Sequence, residues 1–153
     1  MLELSNKKID SKGFTLVELL IVIGILGILL AIVLVALNPA RQFAQANNVE
    51  RRNDVNSLLN AIHQYSADNS GTLPAGITAT AQNIASTGAD LCADLSPQYI
   101  ALLPVDPTVA SGDVSDCAAA YDTSYTVVQS ATDNRVTVSA PSAELSETIS
   151  VTR

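Results

Sequence analysis

KGFTLVELLIVIGILGILLAIVLVAL, residues 12–37, decides the fold, because few structures can house it. From Leu19 to Leu37 every residue is apolar or glycine. As a helix this run spans roughly 28 Å, enough to cross the hydrocarbon core of a bilayer. The apolar core of a cleaved secretory signal is usually about 7–15 residues, so the run is long for one. Its end, Val35-Ala36-Leu37-Asn38-Pro39-Ala40, offers no clean small-x-small cleavage site. Lys7, Lys8 and Lys12 precede the run and favour a cytoplasmic N-terminus, against competition from Arg41, Arg51 and Arg52 beyond it. Gly24 and Gly27 form a small-xx-small pair that would let helices approach closely; glycine is also common in membrane helices for no special reason.

Working outward, Asn38-Pro39 interrupts the run. Proline removes a backbone donor and disfavours helix in the residue before it, so a kink or a locally melted turn is expected there. The helical period resumes at once, with Val55, Leu58, Leu59, Ile62 and Tyr65 on one face and Asn53, Asn56 and Asn60 away from it. Asp68-Asn69-Ser70-Gly71 ends it with turn residues. A helix from Phe14 to about Ala67 would be on the order of 80 Å long. Its first half needs lipid or other copies of itself.

Residues 70–120 read as irregular, rich in Ala, Ser, Thr, Gly and Asp, with short helical turns expected at Ala81–Ser86 and Ser96–Leu102. Beyond Ala120 the period becomes two. Ser124–Ser130, Arg135–Ala140 and Glu147–Thr152 read as three strands of an antiparallel meander. The expected fold is α+β: a long N-terminal helix, membrane-spanning in its first half, packed through its second half on a small antiparallel sheet. The expected divisions are 1–13, 14–38, 39–68 and 69–153.

The formal charge is −7, and aromatics make up 4 % of 153 residues. A net acidic surface repels phosphate, which argues against nucleic-acid binding by the monomer. Two cysteines, Cys92 and Cys117, are too few for a four-cysteine zinc site; one disulfide in an oxidising compartment is the simpler reading, two free thiols the other. Asp106, Asp113, Asp116 and Asp122 match no calcium-loop spacing and read as solvated acids, so no metal and no cofactor are expected. His63, the single histidine, reads as a surface or satisfied half-buried residue. Without a nucleophile pattern beside it no hydrolase triad is expected, and the chain does not read as an enzyme.

Glu18 is the unusual residue. A carboxylate at the margin of a membrane helix is costly and by default functional. A cut between Gly13 and Phe14 would create an α-amino group four residues before it. In a stack of helices, Glu18 of one copy could then meet the amine of its neighbour, rewarding correct axial register.

Lys12-Gly13-Phe14-Thr15-Leu16-Val17-Glu18 with its apolar helix resembles the class III signal of type IV pilins and type II secretion pseudopilins. The resemblance continues through Arg52, Asp54, Leu58, Ala61, Tyr65, the exit Asp68-Asn69-Ser70-Gly71-Thr72-Leu73-Pro74, and Leu103-Pro104-Val105-Asp106-Pro107. It implies cleavage after Gly13 by a prepilin peptidase, methylation of the Phe14 amine and assembly guided by Glu18. It further implies a structural subunit of a filament, made of like copies or related pilins, with an assembly ATPase and a platform protein as partners. The subunit would be a single-pass inner-membrane protein with a cytoplasmic N-terminus before assembly, and part of an extracellular or periplasmic filament afterwards. The alternative is a monomeric, membrane-anchored extracellular binding module of adhesin type.

Overall fold

The structure, a computed structural model, describes residues 13–153. The expected leader, apart from Gly13, lies outside the described residues, as do Lys7, Lys8 and Lys12. The chain divides into two compact units that part between Pro39 and Ala40.

The first unit is helix α1, Leu16–Leu37. Its 22 residues extend about 33 Å. Beyond Glu18 it is apolar on every face, and none of its residues is buried. It ends at Asn38, whose backbone is left-handed (φ 42°, ψ 74°). The single helix expected from Phe14 to Ala67 is therefore two helices. Pro39 has no N–H for the preceding turn, and its ring drives residue 38 out of the helical region; asparagine tolerates the left-handed alternative better than most residues. Pro39 then opens α2, Pro39–Asp68, at the position where its missing donor costs nothing.

The second unit is built on α2. Ala44, Asn48, Arg51, Val55, Leu58, Leu59, Ala61 and Ile62 form its buried face, spaced by threes and fours. That face lies against an antiparallel sheet of four strands in chain order: β1 Gln82–Ala85, β2 Asp122–Gln129, β3 Val136–Ala140 and β4 Ile149–Thr152. Alternation selects the inward residues: Thr123, Tyr125 and Val127 of β2, Val136, Val138 and Ala140 of β3, and Ile149 of β4. Cross-strand neighbours lock the register, with Val127 opposite Val138, Val138 opposite Val151 and Ala140 opposite Ile149. The α+β arrangement is the expected one, with one strand more.

The extra strand corrects the expectation of a helical turn at Ala81–Ser86. Ile84 and Ala85 are buried in the core, and β1 pairs with β2 from Gln82 opposite Val127 to Ala85 opposite Asp122. Four residues carry too little periodicity to declare themselves, and the pairing comes from residues some forty positions away. The helical turn expected at Ser96–Leu102 lies earlier, as α3, Cys92–Leu95. Pro97 cannot donate to a continuing helix, so α3 stops before it. The last strand begins at Ile149 rather than Glu147, because Glu147 belongs to a turn closed by its N–H on the Glu144 carbonyl at 3.2 Å.

Candidate functional site

The residues singled out around the start of the apolar run stand together at the head of α1. Gly13 and Phe14 precede the helix in exposed, non-helical backbone, and Phe14 is 88 % exposed. Thr15 is the N-cap: its Oγ1 accepts from the Glu18 N–H at 3.2 Å. Glu18 returns the contact, its Oε2 accepting from the Thr15 N–H at 2.9 Å and from the Thr15 hydroxyl at 2.7 Å. This is a capping box, which satisfies two of the donors that a helix start leaves open. Within one chain Glu18 therefore already has a task that sequence reasoning missed. Its signal was present in Thr15-Leu16-Val17-Glu18, a Thr-x-x-Glu pattern before an apolar run. Both bonds to the carboxylate fall on Oε2.

Behind this cap, seventeen large apolar side chains from Leu16 to Leu37 are between 48 % (Val33) and 83 % (Val35) exposed. Leaving that much surface in water costs on the order of tens of kcal/mol. Gly24 and Gly27 have open space where a side chain would stand. The helix is long and apolar enough to cross a membrane.

The second unit holds a polar centre that the sequence did not announce. Arg51 is fully buried on α2. Its Nε donates to Asp106 Oδ2 at 2.7 Å and its Nη2 to Asp106 Oδ1 at 3.0 Å, a two-pronged pair. Nη1 donates to Glu144 Oε2 at 2.9 Å and to Asn48 Oδ1 at 3.0 Å. Asp106 is completed by the Thr108 N–H and hydroxyl, at 3.0 and 2.6 Å. Burial pushes the Asp106 carboxyl up, but the bonds from Arg51 and Thr108 outweigh it and hold the group below the usual carboxylate range. Bonds from Asn47 and then Arg51 hold Glu144 low as well. The pairing with Asp106 raises Arg51, already a strong base, further. Next to this cluster the buried Tyr125 donates to Asp54 Oδ2 at 2.6 Å; burial pushes both groups up. Asp106 was expected to be a solvated acid and is instead the buried partner of an arginine. Arginine is seldom fully buried unless paired, and its partner lies 55 residues away in sequence.

Cys92 and Cys117 form the expected disulfide, closing 25 residues. Beside it, the Tyr121 hydroxyl accepts from the N–H groups of Leu91 and Cys92, both at 3.2 Å, and donates to Asp90 at 2.7 Å. Burial and then Asp90 push Tyr121 up to about 12. Asp113, Asp116 and Asp122 line a surface cavity of about 380 Å³. Each accepts a nearby backbone N–H, from Val105, Ala118 and Ser124. Among the described residues no group of three or more acidic, histidine or cysteine side chains is placed to hold a metal ion. His63 is half-buried as expected, but its Nε2 is enclosed without a hydrogen-bond partner among the described residues.

Residues 9–34 match the family described as the prokaryotic N-terminal methylation motif, the signature of prepilin-like proteins of the type IV pilin and pseudopilin kind. No curated protein and no solved structure matches the chain.

Proposed function

We propose that this chain is a structural subunit of a type IV pilus or type II secretion pseudopilus, built into the filament through α1 once a leader ending at Gly13 is removed. The observation that carries this reading is the helix itself: apolar on every face, uncovered along its whole length, and headed by the methylation motif. Lipid can cover it before assembly and copies of itself or related pilins afterwards, which accounts for an element that a soluble monomer could not keep. In this reading a prepilin peptidase cuts between Gly13 and Phe14 and the Phe14 amine is methylated. An assembly ATPase and its platform protein then lift the subunit from the inner membrane. Glu18 acts twice. In the single chain it caps α1, and in the stack its charge meets the amine of a neighbour's Phe14.

The test is the mature N-terminus. Mass spectrometry of protein purified from its own host is expected to show the loss of 13 residues and a methylated Phe14. A mature chain that still begins at Met1, or begins after Ala36 or Ala40, rejects the reading and leaves a plainly tethered domain in its place.

A further inference from the structure

The first two turns of α2 are amphipathic, and their apolar flank is exposed. Pro39, Ala40, Phe43 and Ala46 share one side of the helix, and all four are exposed, Phe43 to 71 %. Ala44 and Asn48 mark the buried side, and Arg41, Gln42 and Gln45 occupy the rest of the surface. Gln45 points almost opposite to Phe43, because two residues turn the helix by about 200°. The chain fixes what this flank can meet. If α1 crosses a bilayer, its length just exceeds a hydrocarbon core of about 30 Å, which leaves Leu37 at the edge of that core. Two extended links and one helical turn then carry Phe43 no farther than about 14 Å from Leu37, whichever way α2 departs. Charge points to the same surface. From Leu19 to Val49 the chain has no carboxylate and one charged residue, Arg41, whereas twelve Asp and Glu follow from Glu50 onward. The stretch closest to the end of α1 is therefore the part of α2 that an anionic lipid surface does not repel.

We propose that the flank of Pro39, Ala40, Phe43 and Ala46 is a lipid-binding surface, seated in the headgroup layer of the bilayer that α1 crosses. The Phe43 ring enters the boundary between headgroups and acyl chains, and Arg41 stands at the level of the lipid phosphates. A short helix with an aromatic apolar side and a polar side carrying arginine suits that layer, where one face is dry and the other wet. This rests on the reading of α1 as a membrane anchor. It adds a second contact with lipid, made by α2 and outside the apolar run, that holds the start of α2 at the membrane surface until the subunit is lifted out.

The absence of tryptophan from the chain supplies the test, since any tryptophan introduced is a single reporter. Phe43→Trp, Gln45→Trp and Leu29→Trp are each reconstituted as full chains in vesicles of phosphatidylethanolamine and phosphatidylglycerol. Fluorescence is then compared with vesicles whose lipids carry bromine, a contact quencher, either on the acyl carbons next to the headgroup or near the chain ends. Phe43→Trp is expected to emit to the blue of Gln45→Trp and to lose about half its intensity to bromine next to the headgroup. Gln45→Trp, with Phe43 in place, is expected to lose little, which separates the seating of this flank from tryptophan's own liking for interfaces. Leu29→Trp, in the middle of α1, is expected to be quenched most by bromine near the chain ends. If Leu29→Trp is quenched while Phe43→Trp is not, or if Gln45→Trp is quenched as strongly as Phe43→Trp, the proposal is overturned and the membrane anchor stands. If Leu29→Trp is untouched by either lipid, the membrane anchor itself fails, and the proposal with it.

Discussion

At the scale of single residues, the two charged side chains that matter most are both occupied. Glu18 is held by Thr15, so a substitution there mixes helix capping with charge. Glu18→Gln separates them, since glutamine also serves in a capping box but carries no charge. If charge pairing in the stack is the decisive role, Glu18→Gln and Glu18→Ala both reduce sheared-filament yield to background. If capping is decisive, only Glu18→Ala does. Arg51 is the other case. Removing one partner of a buried ion pair strands the other, and Arg51→Ala is expected to lower unfolding free energy by about 3–5 kcal/mol, measured by denaturant melts of the full chain in detergent. Arg51→Met should recover part of the lost packing, but it still leaves Asp106 buried without its countercharge.

At the scale of elements, the middle of the chain is held by a covalent staple and a tight turn rather than by periodic structure. The Cys92–Cys117 loop of 25 residues contributes about 3.5 kcal/mol in the chain-entropy account. Reduction is expected to lower the unfolding midpoint by a corresponding amount, with Cys92→Ser/Cys117→Ser giving the same shift in the absence of reductant. The hairpin-like return that covers β1 depends on Gly88. A side-chain carbon there would stand 2.4 Å from the Asn83 carbonyl oxygen, which is backbone and cannot swing aside. The same turn carries the Ala89 N–H to Asn83 bond at 2.8 Å. Gly88→Ala is expected to cost about 1–3 kcal/mol, and faster amide exchange at Asn83 and Ala85 would locate the damage in β1.

At the scale of the whole molecule, acidity should matter. Asp106 and Glu144 are held low in the fold, so their contribution is fully present above their unfolded values, about 3.9 and 4.3. It is lost as pH falls through their folded values, because the unfolded chain takes up protons first. Asp54 has the opposite sign. Its folded value is raised, so it favours the fold in acid, and that benefit disappears as pH rises through the folded value. Asp133, held low by Ser130 and the Arg135 N–H, acts in the same direction as Asp106 and Glu144, so with three depressed carboxyls against one raised in this unit, stability is expected to drop as pH falls below about 4. In Arg51→Met both Asp106 and Glu144 lose the arginine that helps to hold them low, so that drop should flatten, which melts at pH 3 and pH 7 would show. The apolar first unit predicts a different property: the full chain should stay with membranes through an alkaline carbonate wash, and its release into the supernatant would contradict membrane anchoring.

The sequence by itself determined the first unit. A helix that is apolar on all sides needs no tertiary partner to be recognised, because period, length and the interruption at Asn38-Pro39 are local properties. The motif around Gly13, Phe14 and Glu18, the buried stripe from Val55 to Ile62 and the later strands were legible for the same reason. Even the capping box was written in four consecutive residues. What the tertiary structure decided are the features made by residues far apart: β1, which is a strand because β2 pairs with it; Arg51, whose burial depends on Asp106; and the turn between β3 and β4, where Asn47, Asn48 and Arg51 hold Glu144 and Arg52 pairs with Glu147. Local sequence encodes dihedral preference and periodicity. It does not encode which distant group will satisfy a buried charge, since that free energy appears only when the chain has brought the two together.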